Sequence, residues 1–182
     1  MSAICGIYSL NGAPSNPVAL GRMMRALTAH GPDGSDIWHD ASVALGHQMK
    51  YITPESSGET LPLHHAASGI SITADARLDN REELVETLGI GSTQTLPDSQ
   101  LILAAYQKWG IACVEHFIGE FNIAIWDAGE QKLHCITDPM GIRPLFHIQV
   151  EDGCFAFASE IMPLLEIVKN PSINQRRIAM LG

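Results

Sequence analysis

Four short apolar segments follow one another closely in the second half of the chain, and they restrict the fold more than any other feature. They cover residues 121–127, 133–137, 144–150 and 154–158, and they are rich in β-branched and aromatic residues, which favour strands. Glu151-Asp152-Gly153 supplies a turn between the last two. Successive strands joined by short turns pair antiparallel. The spacing therefore predicts an α+β protein with mostly antiparallel sheets rather than a doubly wound α/β fold.

The helices are predicted from periodicity and from capping residues. Pro17 suits the first turn of a helix, and apolar residues then recur at helical spacing until the chain reaches Gly31. Asn80 with Glu83 forms a capping box for a second helix that ends at Gly89. The remaining predicted elements are strands at residues 5–9, 42–49 and 70–76, a helix from about Pro97, a helix over 159–168 and a short helix over 173–181.

Charge and composition exclude several classes of protein. A net charge of −9 argues against a nucleic-acid-binding protein or one that docks on an anionic membrane, because both rely on basic surfaces. The chain contains no apolar run of the roughly 18–20 residues that span a membrane, and its start does not resemble a signal peptide. Four scattered cysteines and eight histidines without ligand spacing predict a reduced, cytoplasmic protein that binds no metal. We interpret residues 1–182 as one domain.

Five motifs occur in order along nearly the whole chain. They are Cys5-Gly6-Ile7, Gly31-Pro32-Asp33-Gly34, Leu45-Gly46-His47, Pro97-Asp98-Ser99 and the run Gly119-Glu120-Phe121 … Trp126-Asp127 … Thr137-Asp138-Pro139 … Gly141-Ile142-Arg143-Pro144-Leu145. Together they resemble the class II glutamine amidotransferase domain at the amino terminus of asparagine synthetases. The resemblance implies an N-terminal-nucleophile (Ntn) fold, a four-layer αββα sandwich with two mostly antiparallel sheets.

The resemblance assigns Cys5 as the candidate nucleophile. In an active member of the family this cysteine is the first residue of the mature chain, and its α-amine serves as the general base. Here residues 1–4 precede Cys5, so its nitrogen is an amide unless these residues are a leader that is removed. Methionine aminopeptidase would expose Ser2 instead. A buried structural cysteine remains the alternative.

The same resemblance implies a glutamine site at His47, Met49, Asp75, Ala76 and Asp98, but several residue types differ from the family pattern. Met49 replaces the arginine that grips the substrate carboxylate, and Lys50 could substitute only if the strand were bulged. Asp75-Ala76-Arg77 replaces the family's Asn-Gly-Glu, in which the asparagine donates to the oxyanion. Asp98 matches the residue that binds the glutamine α-ammonium, although a helix N-cap is the alternative role.

These departures predict a glutaminase-like domain that has lost turnover and supports a C-terminal ATP-dependent synthetase domain, which lies outside this sequence. Asp75-Ala76-Arg77-Leu78-Asp79-Asn80 resembles a subgroup that includes lasso-peptide cyclase and β-lactam synthetase relatives. The alternatives are an active glutaminase that supplies ammonia for asparagine synthesis after leader removal, and a stand-alone Ntn hydrolase of another amide. We expect no cofactor in this chain, with ATP and Mg only in the implied C-terminal domain. The expected partners are that domain and a glutamine-like molecule, and a homodimer stays open.

Two positional expectations follow from the alignment with the family. Cys5 should lie on a buried strand within a few ångströms of Asp75 and Ala76. Arg143 and Asp138 should be structural partners that brace the turn before a strand, where Pro144 fixes the backbone.

Overall fold

The computed structural model describes residues 1–91, 96–150 and 153–168, which form nine strands and four α-helices. Its central elements lie where the sequence predicts them, although two further strands, Gly34–Asp40 and Leu63–His65, were not predicted. The strands are β1 (Ala3–Ser9), β2 (Gly34–Asp40), β3 (Val43–Met49), β4 (Leu63–His65), β5 (Ile70–Leu78), β6 (Gly119–Asp127), β7 (Lys132–Thr137), β8 (Phe146–Val150) and β9 (Cys154–Ala158). The helices are α1 (Pro17–Ala26), α2 (Arg81–Leu88), α3 (Asp98–Trp109) and α4 (Ile161–Leu165). The predicted turn at 151–152 and the short helix over 173–181 lie outside the described residues.

The strands form two antiparallel sheets. The first sheet has the order β2-β3-β1-β9-β8 and the second has the order β4-β5-β6-β7. One apolar cluster joins the first sheet to α1 and α4, a second lies between the sheets, and a third joins the second sheet to α2 and α3. This α+β arrangement of two sheets between helical layers confirms the predicted fold class. Within the described residues, no helix is long and apolar enough to cross a membrane.

Strand β1 runs through the centre of the first sheet and shows why its two faces differ. Because successive side chains on a strand point to opposite faces, Cys5 packs with the α1 layer whereas Ile4 packs between the sheets. Gly6 lies under the Phe157 ring, and a Cβ there would lie 2.4 Å from Phe157 Cε1. Only glycine therefore allows the ring to close over the strand at this point.

Helix α1 covers the outer face of β1. Asn16 caps it by accepting hydrogen bonds from the Val18 N–H (3.1 Å) and the Ala19 N–H (3.0 Å). Met23 and Met24 are buried against the sheet, as expected for residues that fill an irregular core. The helix therefore seals one side of β1 and leaves the other side to face the second sheet.

Candidate functional site

A cavity of about 50 Å³ opens where the ends of β1, β3 and β5 meet. Four of the predicted substrate residues line it, namely Met49, Asp75, Ala76 and Asp98, together with Ser2, Lys50, Arg77 and Arg143. A second cavity, of about 340 Å³, lies beside it and is bounded on its far side by Pro144, Phe146 and Ile161. Ser2, Asp75 and Arg143 line both cavities. These three residues are therefore the centre of the candidate site.

Asp75 and Arg143 form a buried ion pair at this centre. Each side chain is only 6% exposed, and Arg143 Nη1 contacts Asp75 Oδ1. The second guanidinium nitrogen, Nη2, lies 3.7 Å from Glu120 Oε2, whereas Nε has no hydrogen-bond partner among the residues that the structure describes. Burial raises the pKa of Asp75, while the Arg143 charge and a hydrogen bond from the Ser2 N–H act in the opposite direction.

The predicted pairing of Arg143 with Asp138 is correct only for the backbone N–H of Arg143, because its guanidinium contacts Asp75 instead. Asp138 accepts hydrogen bonds from the backbone N–H groups of Phe121 (3.3 Å), Met140 (3.0 Å), Ile142 (3.0 Å) and Arg143 (3.1 Å). Burial acts to raise the pKa of Asp138, but these donors outweigh it and hold the pKa below its ordinary value. Asp138 therefore braces the turn as predicted, while the Arg143 guanidinium points to Asp75.

Asp98 is already paired with a cationic side chain of the protein, Arg81. It forms an ion pair with Arg81, and its Oδ2 accepts a hydrogen bond from the Leu78 N–H at 3.2 Å. The N-cap of α3 is Pro97, so Asp98 does not take the alternative capping role. Instead, Glu59 Oε1 in the preceding loop accepts the Ser99 N–H at 3.0 Å. A substrate ammonium at Asp98 would have to compete with Arg81.

Met49 lies in the cavity wall, and its uncharged side chain offers no cation for a substrate carboxylate. Its Sδ is 3.9 Å from Ser2 Oγ, and the β2–β3 ladder continues in register to the pair Gly34–Met49. Strand β3 is therefore not bulged, and the condition under which Lys50 could replace the missing arginine is not met. The Arg77 side chain is 63% exposed and pairs with Asp79, at 3.1 Å from Nε to Oδ1.

Cys5 lies on a buried strand, as predicted, but its thiol is on the wrong face for the candidate site. Its Sγ is 3.5 Å from Met24 Sδ, within the apolar cluster between the first sheet and α1. Complete burial raises the pKa of this thiol to about 12. Cys5 is not among the residues lining either cavity. The predicted approach of Cys5 to Asp75 is wrong for the side chain, because strand alternation turns it toward the helix.

Ser2 occupies the position that the sequence interpretation gave to Cys5. Its Oγ accepts the Lys50 N–H at 3.0 Å and donates to the Lys50 carbonyl at 3.3 Å. The alternation of β1 contained the signal, since Ala3, Cys5 and Ile7 are apolar and share one face, which leaves Ser2 on the other. The role of residues 1–4 as a leader stays a prediction, but Ala3 and Ile4 are 1% and 0% exposed and belong to β1.

His47 is buried between the sheets, away from the residues that line the cavities. Its Nδ1 is 3.2 Å from Thr73 Oγ1, and that hydroxyl donates to the Gly46 carbonyl at 3.3 Å. The hydroxyl therefore accepts from Nδ1–H, which leaves the lone pair on Nε2. Burial lowers the pKa of His47 to about 3, so the ring is neutral. A neutral ring held by Thr73 positions β3 against β5.

The sequence matches the family model of the glutamine amidotransferase domain over residues 1–181. The chain belongs to the class II glutamine amidotransferase family. Asparagine synthetase (glutamine-hydrolyzing) 3 of Bacillus subtilis (strain 168) is 29% identical over 158 residues, which cover 85% of this chain and 25% of that protein. A putative asparagine synthetase (glutamine-hydrolyzing) of Mycobacterium tuberculosis (strain ATCC 25618 / H37Rv) is 29% identical over 189 residues, covering 91% and 28%.

The fold of this amidotransferase domain is also seen in a solved structure. Glutamine phosphoribosylpyrophosphate amidotransferase from B. subtilis, complexed with ADP and GMP, aligns with a TM-score of 0.71 at 18% identity, over 89% of this chain and 42% of that chain. This likeness places the domain among Ntn-type amidotransferase folds. The chain spans about a quarter of the length of the asparagine synthetases it matches.

Proposed function

We propose that this amidotransferase domain does not turn over glutamine and that it supports an ATP-dependent, amide-forming synthetase domain of a longer protein. The observation that carries the proposal is the buried Asp75–Arg143 ion pair at the centre of the site. The subgroup that resembles lasso-peptide cyclase and β-lactam synthetase relatives is the part of the family in which we expect this protein. The names and lengths of the asparagine synthetase relatives support a synthetase partner.

The ion pair opposes the chemistry of amide hydrolysis. Attack on an amide places negative charge on the carbonyl oxygen, and active sites stabilise that charge with fixed hydrogen-bond donors. The family pattern has an asparagine where this chain has Asp75, and an ionised carboxylate repels the developing charge. Arg143 could donate to an oxyanion, but its charge is already shared between Asp75, which contacts Nη1, and Glu120, which lies near Nη2. Losing one such donor lowers kcat by about 10²–10³-fold.

Both ends of a bound glutamine would also lack their partners. The wall that should grip the α-carboxylate carries Met49, which cannot make the two parallel hydrogen bonds of an arginine. The carboxylate that should hold the α-ammonium, Asp98, is paired with Arg81. An amino-acid substrate therefore gains little from this pocket, and binding weakens together with the chemical step.

The candidate nucleophile gives a third argument. Cys5 is completely buried with a pKa near 12, so it holds almost no thiolate at neutral pH. An active glutaminase made by cleavage before Cys5 would lose Ala3 and Ile4, which pair with Gln48 and His47 across the sheet. The loss of these two buried ladder positions would expose the interior of the first sheet. The alternative of leader removal before Cys5 is therefore not favoured by any contact described above.

Ammonia release from glutamine tests the proposal. The purified chain, Cys5→Ala and Ser2→Ala should all release ammonia at the same background rate, and a glutamine-mimicking diazo ketone should label none of them at residue 2 or 5. The B. subtilis asparagine synthetase 3 serves as a positive control under identical conditions. Turnover at ordinary enzyme rates, about 1–10³ s⁻¹, that is abolished in either variant would refute the proposed loss of glutaminase activity.

The supporting role needs a separate experiment on the full-length protein. Ser2→Ala should leave ATP-dependent amide formation unchanged, whereas deletion of the amidotransferase domain should lower it together with the thermal stability of the remainder. Unchanged activity and stability after deletion would contradict the supporting role. The two experiments have independent readouts, so one half of the proposal can fail without the other.

A further inference from the structure

Ser2 lies at the border between an exposed and a buried part of the chain. Met1 is 53% exposed, whereas Ser2 is 8% exposed, and its Oγ is fixed by the Lys50 backbone at 3.0 and 3.3 Å. The Ser2 N–H hydrogen-bonds to Asp75, and Ser2, Asp75 and Arg143 all line both cavities. The peptide bond between residues 1 and 2 therefore joins an exposed residue to a buried one, and its nitrogen donates to a buried carboxylate.

The charges around this nitrogen already include a terminal ammonium. Asp75 and Glu120 face the Arg143 guanidinium, whose Nη2 lies 3.7 Å from Glu120 Oε2, and the α-ammonium of Met1 also acts on Asp75. Removal of Met1 would move this ammonium one residue along the chain, onto the nitrogen that hydrogen-bonds to Asp75. The other charged residues that line the cavities are Lys50, Glu55, Glu59, Arg77, Asp98, His30 and Glu160; Arg77 pairs with Asp79, Asp98 with Arg81, and His30 with Glu160 at 2.7 Å from Nε2 to Oε1.

We propose that cleavage of the Met1–Ser2 bond creates an N-terminal ammonium at Ser2, which binds the buried Asp75 and joins a charged cluster with Arg143 and Glu120. An aminopeptidase of the methionine-removing class, or a protease where further residues precede Met1, adds one water across the bond. Met1 leaves with the new carboxylate, and the Ser2 nitrogen keeps its hydrogen and takes up protons to become the ammonium. Ser2 is thus a processing site, and Asp75 is the binding site for its product.

This assignment goes beyond the proposed function, and it gives Asp75 a positive role. A free α-amine has a pKa of about 7.7–8.0, and an opposite charge within ~4–6 Å favours its protonated form. Asp75 therefore keeps the Ser2 amine protonated at neutral pH, so that it cannot take the proton of the Ser2 hydroxyl. Asp75, which replaces the asparagine that donates to the oxyanion in the family pattern, thus also prevents the Ser2 α-amine from acting as a general base.

Native-state labelling of the α-amine tests this proposal. The protein is isolated from cells as it is naturally made, its first residue is identified by peptide mapping, and the Ser2 amine is acetylated with isotope-labelled acetic anhydride between pH 6 and 9. We expect Ser2 as the first residue, and labelling at pH 7 about tenfold slower than in Asp75→Asn, which corresponds to roughly one pKa unit. The exposed Lys132 provides an internal reference, because its labelling should be equal in all samples.

Glu120→Gln is the matched control, because Glu120 also faces Arg143 but is 40% exposed. It should label within about twofold of the unsubstituted protein, since screening weakens exposed charges. A chain that retains Met1, or equal rates in the unsubstituted protein and Asp75→Asn, would overturn the proposal. If Asp75→Asn does not fold, ¹³C-dimethylation of the Ser2 amine and its NMR titration in the unsubstituted protein decide, because a pKa at or below about 7.7 contradicts the ion pair. None of these readouts depends on glutamine turnover.

Discussion

Asp75 and Asp138 are two buried carboxylates that both contact Arg143, Asp75 through the guanidinium and Asp138 through the backbone N–H, and their hydrogen-bond partners are of opposite kinds. Asp138 accepts four backbone N–H groups, all between residues 121 and 143. Asp75 depends mainly on one side chain, the Arg143 guanidinium, and on the Ser2 N–H. Burial prevails at Asp75 and raises its pKa, whereas hydrogen bonds prevail at Asp138 and lower its pKa. The hydrogen bonds of Asp138 are fixed by the backbone, whereas those of Asp75 depend mainly on a side chain that lines a cavity.

The difference distinguishes Asp138, a carboxylate that holds a turn together, from Asp75, a carboxylate that lines the candidate site. A carboxylate held by main-chain donors can change only if the turn itself unfolds. A carboxylate held by a guanidinium and by the N–H of residue 2 responds to single substitutions, and it would respond to the processing at Ser2 that we propose. Asp75 is therefore the group whose protonation and partners can vary while the fold stays intact.

The largest expected effect comes from removing the cation that pairs with Asp75. Arg143→Met leaves Asp75 buried without its partner, which should lower the free energy of unfolding by about 3–5 kcal/mol. The double variant Arg143→Met/Asp75→Val should recover much of that loss, because a buried ion pair is often replaceable by apolar residues of similar size. Urea unfolding of the two variants provides the measurement, with Arg22→Met on the exposed face of α1 as the surface control. A double variant no more stable than Arg143→Met would show that Asp75 does not depend on Arg143.

Asp138→Asn should have the next largest effect. It removes the charge that four backbone donors share, and hydrogen bonds to a charged group are worth about 1.5–3 kcal/mol each when lost. Because asparagine still accepts through one oxygen, we expect a loss of about 2–3 kcal/mol in the free energy of unfolding. The exposed Asp40→Asn on β2 should change it by less than about 0.5 kcal/mol. If adding Asp75→Val recovered stability in the Asp138→Asn background, the two carboxylates would not be the independent groups that we describe.

The smallest effect is on the pH dependence of the free energy of unfolding, to which Asp138 and Asp75 contribute with opposite signs. The pKa of Asp138 in the folded state is below its ordinary 3.8, so its stabilisation is present above pH 3.8 and is lost as the pH falls through the lowered pKa. The pKa of Asp75 is above 3.8, so its contribution is present below pH 3.8 and is lost as the pH rises through the raised pKa. Asp138→Asn should therefore reduce the loss of stability in acid, and Asp75→Asn should reduce the loss above pH 3.8. Urea unfolding at a series of pH values checks both, and equal slopes for the two variants would contradict the comparison.

Much of the fold could be predicted because local patterns coincide with the elements. The helix after Pro17, the αL glycine at Gly89 and the central strand β6 all follow from capping, turn and propensity rules. Strand β2 was missed because Ser35, Asp36, His39 and Asp40 give it a polar edge-strand composition. Strand β4 has only three residues, which is too short for any periodicity to appear.

The site was harder to predict because its key contacts join distant parts of the chain. Asp75 and Arg143 are 68 positions apart, and nothing local in either segment indicates their pairing. The motif Cys5-Gly6-Ile7 located the correct strand but the wrong residue, since a residue type known for reactivity outweighed the alternation of β1. Ser2 shares a face of the chain with Ile4, and this alternation would have indicated Ser2 as the residue that faces the candidate site.

The hydrogen bond from the Ser99 N–H to Glu59 has a mechanical consequence for the smaller cavity. Glu59 belongs to the loop on one wall, and Ser99 belongs to the first turn of α3, next to Asp98 on the other wall. This hydrogen bond thus ties the two walls together. Helix α3 is anchored by Leu101 and Ile102, both 0% exposed in the core below the second sheet. The size of molecule that the cavity admits is therefore set by how α3 packs, and a larger guest would require the core beneath the helix to rearrange.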